Sequence, residues 1–189
     1  PTRVALEQNI ASLEGAKHGL AYSSGLGAVN AVLNLLKSGD HVVAGRDLYG
    51  GSYRIFTKLY QKFGVEFTFV DASLIEEIRR AIKPSTRLLW LESPSNPLLS
   101  ITDLEQASAA ARERGVVTVV DNTFATPCLQ QPLSLGADIV LHSTTKYLNG
   151  HSDVVGGALV TNRADLWEEL KYYQNAVGAI PGPWDCYLV

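Results

Sequence analysis

Methionine is missing from the 189-residue sequence altogether, even at position 1. Pro1-Thr2-Arg3 therefore reads as the inside of a longer chain, and residues 1–189 are expected to be an excised domain with partners on both sides. Cysteine is almost as scarce. Cys128 and Cys186 lie far apart, a pattern with neither a disulfide framework nor metal-type spacing. Both read as ordinary thiols of a reducing, cytoplasmic compartment. No apolar run exceeds about five residues, far short of a membrane span. No signal-peptide pattern opens the chain. Charge of one sign never accumulates either: 16 basic and 19 acidic residues leave a net charge of −3. Without a basic run, nucleic-acid binding has no electrostatic support. Internal repeats, low-complexity segments and linkers are also lacking.

What is present is enough apolar material for a core, 46% of the chain. Val4, Leu6, Ile10 and Leu13 recur at helical spacing over residues 4–13, and Gly15 ends that helix. Ala21–Gly27 reads as a small-residue loop opening onto a second helix. His41–Ala44 predicts a short buried strand, and a third helix runs from Tyr53 to Phe63. Val65, Phe67 and Phe69 alternate with polar residues at strand period. Ser73 with Glu76, and Thr102 with Glu105, have the spacing of capping boxes. Leu88–Leu91, Val116–Val120 and Ile139–Leu141 read as buried strands. Val154–Val160 reads as a further strand broken by Gly156-Gly157, and Leu166, Leu170 and Tyr173 suit a final helix. The alternation predicts an α/β fold with a mostly parallel sheet sandwiched by helices.

In such sheets ligands bind beyond the carboxyl ends of the strands. Polar residues cluster there: Glu92 and Asn96 after one strand, Asp121, Asn122 and Thr123 after another, and His142–Lys146 after a third. Together with Gly25-Leu26-Gly27 they suit an anionic phosphate carrying a protonatable ring. Each has a plainer alternative. Gly25-Leu26-Gly27 is either a phosphate cradle at a helix start or a tight turn. It lacks both the Walker and the dinucleotide spacing. Asp121, straight after the β-branched run Val116–Val120, is either the partner of a cation such as a pyridinium nitrogen or a helix cap. Lys146, among Ser143, Thr144 and Thr145, is either a Schiff-base lysine in a water-poor site or a surface lysine. Tyr49 either stacks on a flat heterocycle or fills a turn. His151 and Asp153 suit a hydrogen-bonded turn, and His142 a satisfied core histidine.

Taken together, these stretches resemble the Cys/Met-metabolism family of pyridoxal-phosphate enzymes, which includes cystathionine γ-lyase and cystathionine γ-synthase. The resemblance rests on Pro1-Thr2-Arg3, Ser24-Gly25-Leu26, Asp47-Leu48-Tyr49-Gly50-Gly51, Glu92–Pro97, Val120–Phe124, His142–Tyr147 and Leu148–Gly157, in the family's order. It implies the large domain of the aspartate-aminotransferase-type fold over residues 1–189, with pyridoxal 5′-phosphate as cofactor. It further implies that Lys146 forms the Schiff base, Asp121 holds the ring nitrogen, and Tyr49 stacks on the ring and serves catalysis. Gly25, Leu26, Ser143 and Thr145 would bind the phosphate, and Asn96 would lie near the phenolic oxygen. The expected assembly is a homotetramer of active dimers acting on a small amino-acid substrate. The N-terminal arm that reaches the neighbouring subunit's phosphate site is expected outside this stretch. So is the small domain bearing the arginine for the substrate carboxylate.

Within the family, Tyr49-Gly50-Gly51 lacks the cysteine that many methionine γ-lyases carry at this point. Gln174–Pro181 is similar to γ-lyases, a stretch that bacterial γ-synthases share, while Glu92–Pro97 leans toward γ-synthases. Cystathionine γ-lyase is the expected activity, with γ-synthase as the alternative. A non-catalytic binding module of the same fold would be expected to lose Lys146 or Asp121, and both are present.

Overall fold

The computed structural model describes residues 1–189. It contains one seven-stranded sheet with helices on both faces. In chain order the elements begin α1 (Thr2–Leu13), β1 (His18–Tyr22), α2 (Gly25–Leu33), β2 (His41–Gly45) and α3 (Gly50–Lys58). They continue through β3 (Glu66–Val70), α4 (Ile75–Ala81), β4 (Thr86–Glu92), α5 (Leu104–Arg112), β5 (Val117–Asp121) and α6 (Thr126–Leu129). The last are β6 (Ile139–His142), β7 (Gly157–Thr161), α7 (Ala164–Val177) and α8 (Pro183–Leu188).

The strand order is β1-β7-β6-β5-β4-β2-β3. β7 runs antiparallel to both of its neighbours, and all other pairings are parallel. The carboxyl ends of six strands therefore share one edge of the sheet, where β7 begins. Alternation along each strand divides the core. Leu88 and Trp90 of β4 pack with α2 residues Ala28 and Val32 and with Phe56 of α3. Leu89 and Leu91 face the other way, onto Ile78 of α4 and Leu104 and Ala107 of α5. A third cluster joins Leu6 and Ile10 of α1 to Val140, Val160 and Cys186. A strand buried on both faces has no charged side to show, which is why Val116–Val120 reads as a run of β-branched residues, four valines and Thr118.

The structure corrects several expectations. The loop expected from Ala21 begins later, because His18–Tyr22 is an edge strand paired only with β7. It has no β-branched residue, so its strand character comes from the partner. Gly19 is needed there: a Cβ would lie 2.2 Å from the Glu7 carbonyl oxygen. Neither expected capping box forms. Ser73 bonds Asp71 through N and Oγ, and α4 starts later, at Ile75, with no side-chain cap. α5 is capped by Asp103, whose Oδ1 accepts from Gln106 N at 3.0 Å, instead of by Thr102. Gly156-Gly157 does not break β7 but opens it. The carboxyl end of the sequence forms α8, with Pro183 in its first turn where no intrahelical N–H is required.

Trp90 is fully buried, edge-on to Phe56 with ring centroids 5.2 Å apart. Trp90→Ala is expected to destabilise the domain by about 3–5 kcal/mol, from lost burial plus the cavity left behind. Denaturant unfolding checks this; a loss under ~1 kcal/mol would mean that the neighbouring side chains collapse into the gap.

Candidate active site

The shared strand edge surrounds a cavity of about 300 Å³. Its walls include Gly25, Leu26, Tyr49, Asn96, Asp121, Ser143, Thr145 and Lys146, so every residue singled out from sequence for cofactor work faces one space.

The loop after β1 approaches β6 through glycine. A Cβ on Gly25 would sit 2.9 Å from Ser143 Cβ, and one on Gly157 would sit 2.2 Å from the Ser24 carbonyl oxygen. These contacts admit no side chain, so the backbones of three segments meet here. Ser24 caps α2 by accepting from Gly27 N at 3.0 Å. The first turn of α2 thus starts beside the Ser143 hydroxyl, a favourable arrangement for a phosphate. Thr145 is also close, but its hydroxyl exchanges hydrogen bonds with Gly156, accepting from N at 3.0 Å and donating to O at 3.2 Å.

Asp121 ends β5 and is buried. Its Oδ1 accepts from Thr123 N at 3.0 Å and from Thr123 Oγ1 at 2.5 Å. Its Oδ2 has no donor within the chain, and no side-chain cation pairs with it. Burial pushes its carboxyl upward; the Thr123 bonds and nearby His142 work against that rise. Thr123 also accepts from Ser143 N at 2.9 Å, which ties the ends of β5 and β6 together.

Tyr49 stands at the start of α3 with its ring folded over Gly51, where a Cβ would come within 2.3 Å of the ring. Its backbone N donates to Glu92 Oε2 at 2.8 Å. The Asn96 loop is tied to the same region. Asp47 Oδ2 accepts from Ser95 Oγ and, at 3.1 Å, from Leu98 N. Glu92 follows as a strand-end residue whose role sequence left unread. It pairs in register with Asp121 on the adjacent parallel strand. Burial, the charge of Asp121 and, more weakly, Asp47 push its carboxyl up to about 8, against the opposing Tyr49 bond.

Lys146 differs from expectation. It is exposed, in the turn following β6, at the junction between this cavity and an adjoining one, and it takes part in no ion pair. The turn itself lies at the cavity mouth, so the water-poor setting expected for its amine is not what surrounds it. His151 and Asp153 do form a hydrogen-bonded turn: His151 Nδ1 meets Asn149 O at 2.7 Å, and Asn149 Nδ2 donates to Asp153 Oδ1 at 2.8 Å. His142 is a core histidine, but only half satisfied. Its Nε2 contacts Glu14 Oε1 at 2.6 Å while its Nδ1 has no partner.

The residues present fit pyridoxal 5′-phosphate. A donor-free oxygen on the buried, cavity-lining residue Asp121 suits a protonated ring nitrogen. The glycine-lined approach of α2 to Ser143 suits a phosphate, and Tyr49 provides a ring face. A mostly parallel α/β sheet with this arrangement at its carboxyl edge defines a pyridoxal-phosphate enzyme of the aspartate-aminotransferase-type fold. More narrowly, the chain belongs to the Cys/Met metabolism PLP-dependent enzyme family, whose model matches residues 1–189. It is 55% identical over 189 residues to a probable cystathionine gamma-synthase of Herpetosiphon aurantiacus, covering all of this chain and 59% of that protein. It is 54% identical to a cystathionine gamma-lyase of Bacillus subtilis (strain 168), covering all of this chain and 50% of that protein. A cystathionine beta-lyase of Lactococcus lactis subsp. cremoris (strain MG1363) is 50% identical, with the same coverage. The crystal structure of metB from Corynebacterium glutamicum superposes with a TM-score of 0.98 at 53% identity, over all of this chain and 49% of that one. The chain thus spans about half the length of the relatives it matches.

The Glu92 carboxyl gives a pH dependence with a definite sign. It holds its proton more tightly in the fold than in the unfolded chain. Its contribution to stability is full below about 4.5 and is lost as pH rises through about 8. Thermal unfolding of the cofactor-free protein over this window is expected to show a falling Tm. Glu92→Gln should make that fall shallower, and parallel profiles for the two proteins would count against the assignment.

Proposed function

We propose that the protein is a trans-sulfuration enzyme whose reaction is γ-elimination of cystathionine: with one water, the substrate gives cysteine, 2-oxobutanoate and ammonia. The observation that carries this reading is the convergence of Lys146, the donor-free oxygen of Asp121 and the α2–Ser143 cradle on one cavity. When bound, pyridoxal phosphate supplies an electron sink for bonds cleaved next to the substrate's amino-bearing carbon. Asp121 holds the proton on its ring nitrogen. Ser143, Thr145 and the backbone N–H groups of Gly25 and Leu26 would hold its phosphate, Asn96 would lie by its phenolic oxygen, and Tyr49 would bound its ring. Lys146 would anchor it, and its amine would move protons at the substrate's α and β carbons. Its exposed position at the cavity mouth leaves the amine free to swing between these tasks.

The choice of lyase rests on Gln174–Pro181, the stretch similar to γ-lyases. It packs beside the phosphate loop: Ser23 N donates to Ala179 O at 2.9 Å, and Gln174 Nε2 donates to Ala21 O at 2.8 Å. A second reading, cystathionine γ-synthase, is favoured by Glu92–Pro97 and by the relative of that name at 55% identity. In that case an activated homoserine would receive cysteine sulfur in place of its leaving group. The reading extends to an assembly of active dimers paired as a homotetramer in the cytoplasm.

Two measurements on the full-length protein test the proposal. Borohydride reduction followed by peptide mass spectrometry is expected to find a pyridoxyl adduct on Lys146, and Lys146→Ala should lower turnover at least about a hundredfold. Turnover near wild type in that variant would remove the lysine from the mechanism. Cystathionine alone is expected to yield cysteine and 2-oxobutanoate. Homocysteine and pyruvate would instead mean β-cleavage. Turnover only with cysteine plus an activated homoserine would mean the synthase.

A further inference from the structure

We propose that Glu92 is a positioning residue of this site: its carboxyl grips the backbone N–H of Tyr49 and so sets the tyrosine ring against the cofactor ring. The inference rests on the cofactor site proposed above.

Three observations carry it. First, Tyr49 N is the first backbone donor ahead of α3, and the helix has no side-chain cap. The 2.8 Å bond from Tyr49 N to Glu92 Oε2 satisfies the N–H of the N-cap residue itself, the bond that a glutamate at the third helical position makes in a capping box, here supplied by a strand end 43 residues away. Second, α3 begins with Gly50 and Gly51, so the Tyr49 backbone has little stiffness of its own. The bond to Glu92 links it to the buried carboxyl end of β4, which is paired on both sides. Third, Glu92 and Asp121 are register partners lining one cavity.

The groups around Glu92 define the form in which it works. Asp121 and Lys146 share its cavity, with the Tyr49 phenol. On its other side stand Asp47, Arg46 and Asp71. Arg46 is engaged by Asp71 and Glu77, at 3.1 and 3.6 Å. Asp47 is engaged by Ser95 and Leu98 N. One ring nitrogen cannot neutralise two buried carboxylates, and like charges in such proximity are not both retained. With a protonated ring nitrogen against it, Asp121 would keep its charge, and Glu92 would act as a neutral acid whose Oε2 accepts from Tyr49. Glutamine in its place would accept the same bond without a charge.

The test uses the full-length holoenzyme and reads two quantities besides activity: the dissociation constant for pyridoxal 5′-phosphate, and the visible circular dichroism of the bound cofactor, which reports ring orientation. Glu92→Ala is expected to weaken cofactor binding about tenfold and to change the visible signal. Glu92→Gln should keep the affinity within about twofold and the signal as in wild type. An unchanged Glu92→Ala would overturn the proposal. So would a folded Glu92→Gln as impaired as Glu92→Ala, since charge and not hydrogen bonding would then be at work. If Glu92→Ala fails to fold, Glu92→Gln decides alone: a wild-type signal supports the proposal and a lost one ends it. Failure of wild type itself to hold the cofactor on Lys146 would instead strike the site reading.

Discussion

Asp121 closes a strand whose residues are buried on both faces, and its charge has no partner among the side chains of the chain. Bringing a carboxylate out of water without a cation costs several kcal/mol as an order of magnitude. The fold offsets part of that through Thr123, which gives Asp121 two hydrogen bonds. The same hydroxyl accepts from Ser143 N, so the group that steadies the charge also fixes the phosphate-side turn. The remaining oxygen is left to whatever enters the cavity. Around this carboxyl stand a small cradle on one side, the Glu92 carboxyl, pushed above the usual carboxylate range, on the other, and a lysine that takes part in no ion pair.

A second buried network lies behind it. Glu14, just past the end of α1, is essentially inaccessible, and its Oε1 is shared by His142 Nε2 at 2.6 Å and Asn122 Nδ2 at 2.8 Å. Asn122 in turn donates to Gln130 O, and Gln130 Nε2 reaches the Ser93 carbonyl at 2.8 Å. The chain of bonds thus joins α1 to the ends of β4, β5 and β6. Asn122 and His142 directly adjoin Asp121 and Ser143 in sequence, so both sides of the ligand face are braced from behind. Buried polar networks specify one arrangement when their members find partners. Here Glu14 Oε2 and His142 Nδ1 do not, which makes the brace costly and argues that position is what it provides.

The legibility of this site in sequence follows the range of the interactions. Val116–Val120 announces a doubly buried strand because burial on both faces removes every charged residue, and Asp121 stands out against that run. Ser143–Lys146 and Gly25-Leu26-Gly27 are legible because their chemistry is local. β1 is not, because an edge strand with Gly19 and no β-branched residue takes its shape from β7, nearly 140 residues on. The capping boxes misled for a related reason. Ser73 and Thr102 have the spacing, but Asp71 draws the Ser73 hydroxyl away from α4, and Asp103 takes the capping position on α5, a carboxylate being the stronger acceptor near a helix start. The exposure of Lys146 depends on where the turn after β6 lies, which no local pattern encodes.

Glu92 shows the same limit at the level of mechanism. Its residue type and strand-end position are visible, but its partner is not, because the Tyr49 bond and the Asp121 pairing depend on the order β5-β4-β2. That order places β4 between the strand ending at Asp121 and the strand leading to Tyr49. A side chain at the end of the middle strand is the one element able to touch both. A carboxyl there meets the charge of Asp121, which pushes it toward its neutral form, and its hydrogen-bonding capacity is left for the tyrosine loop. The topology of the sheet therefore assigns two chemically identical groups opposite tasks, one to hold a charge and the other to hold a shape.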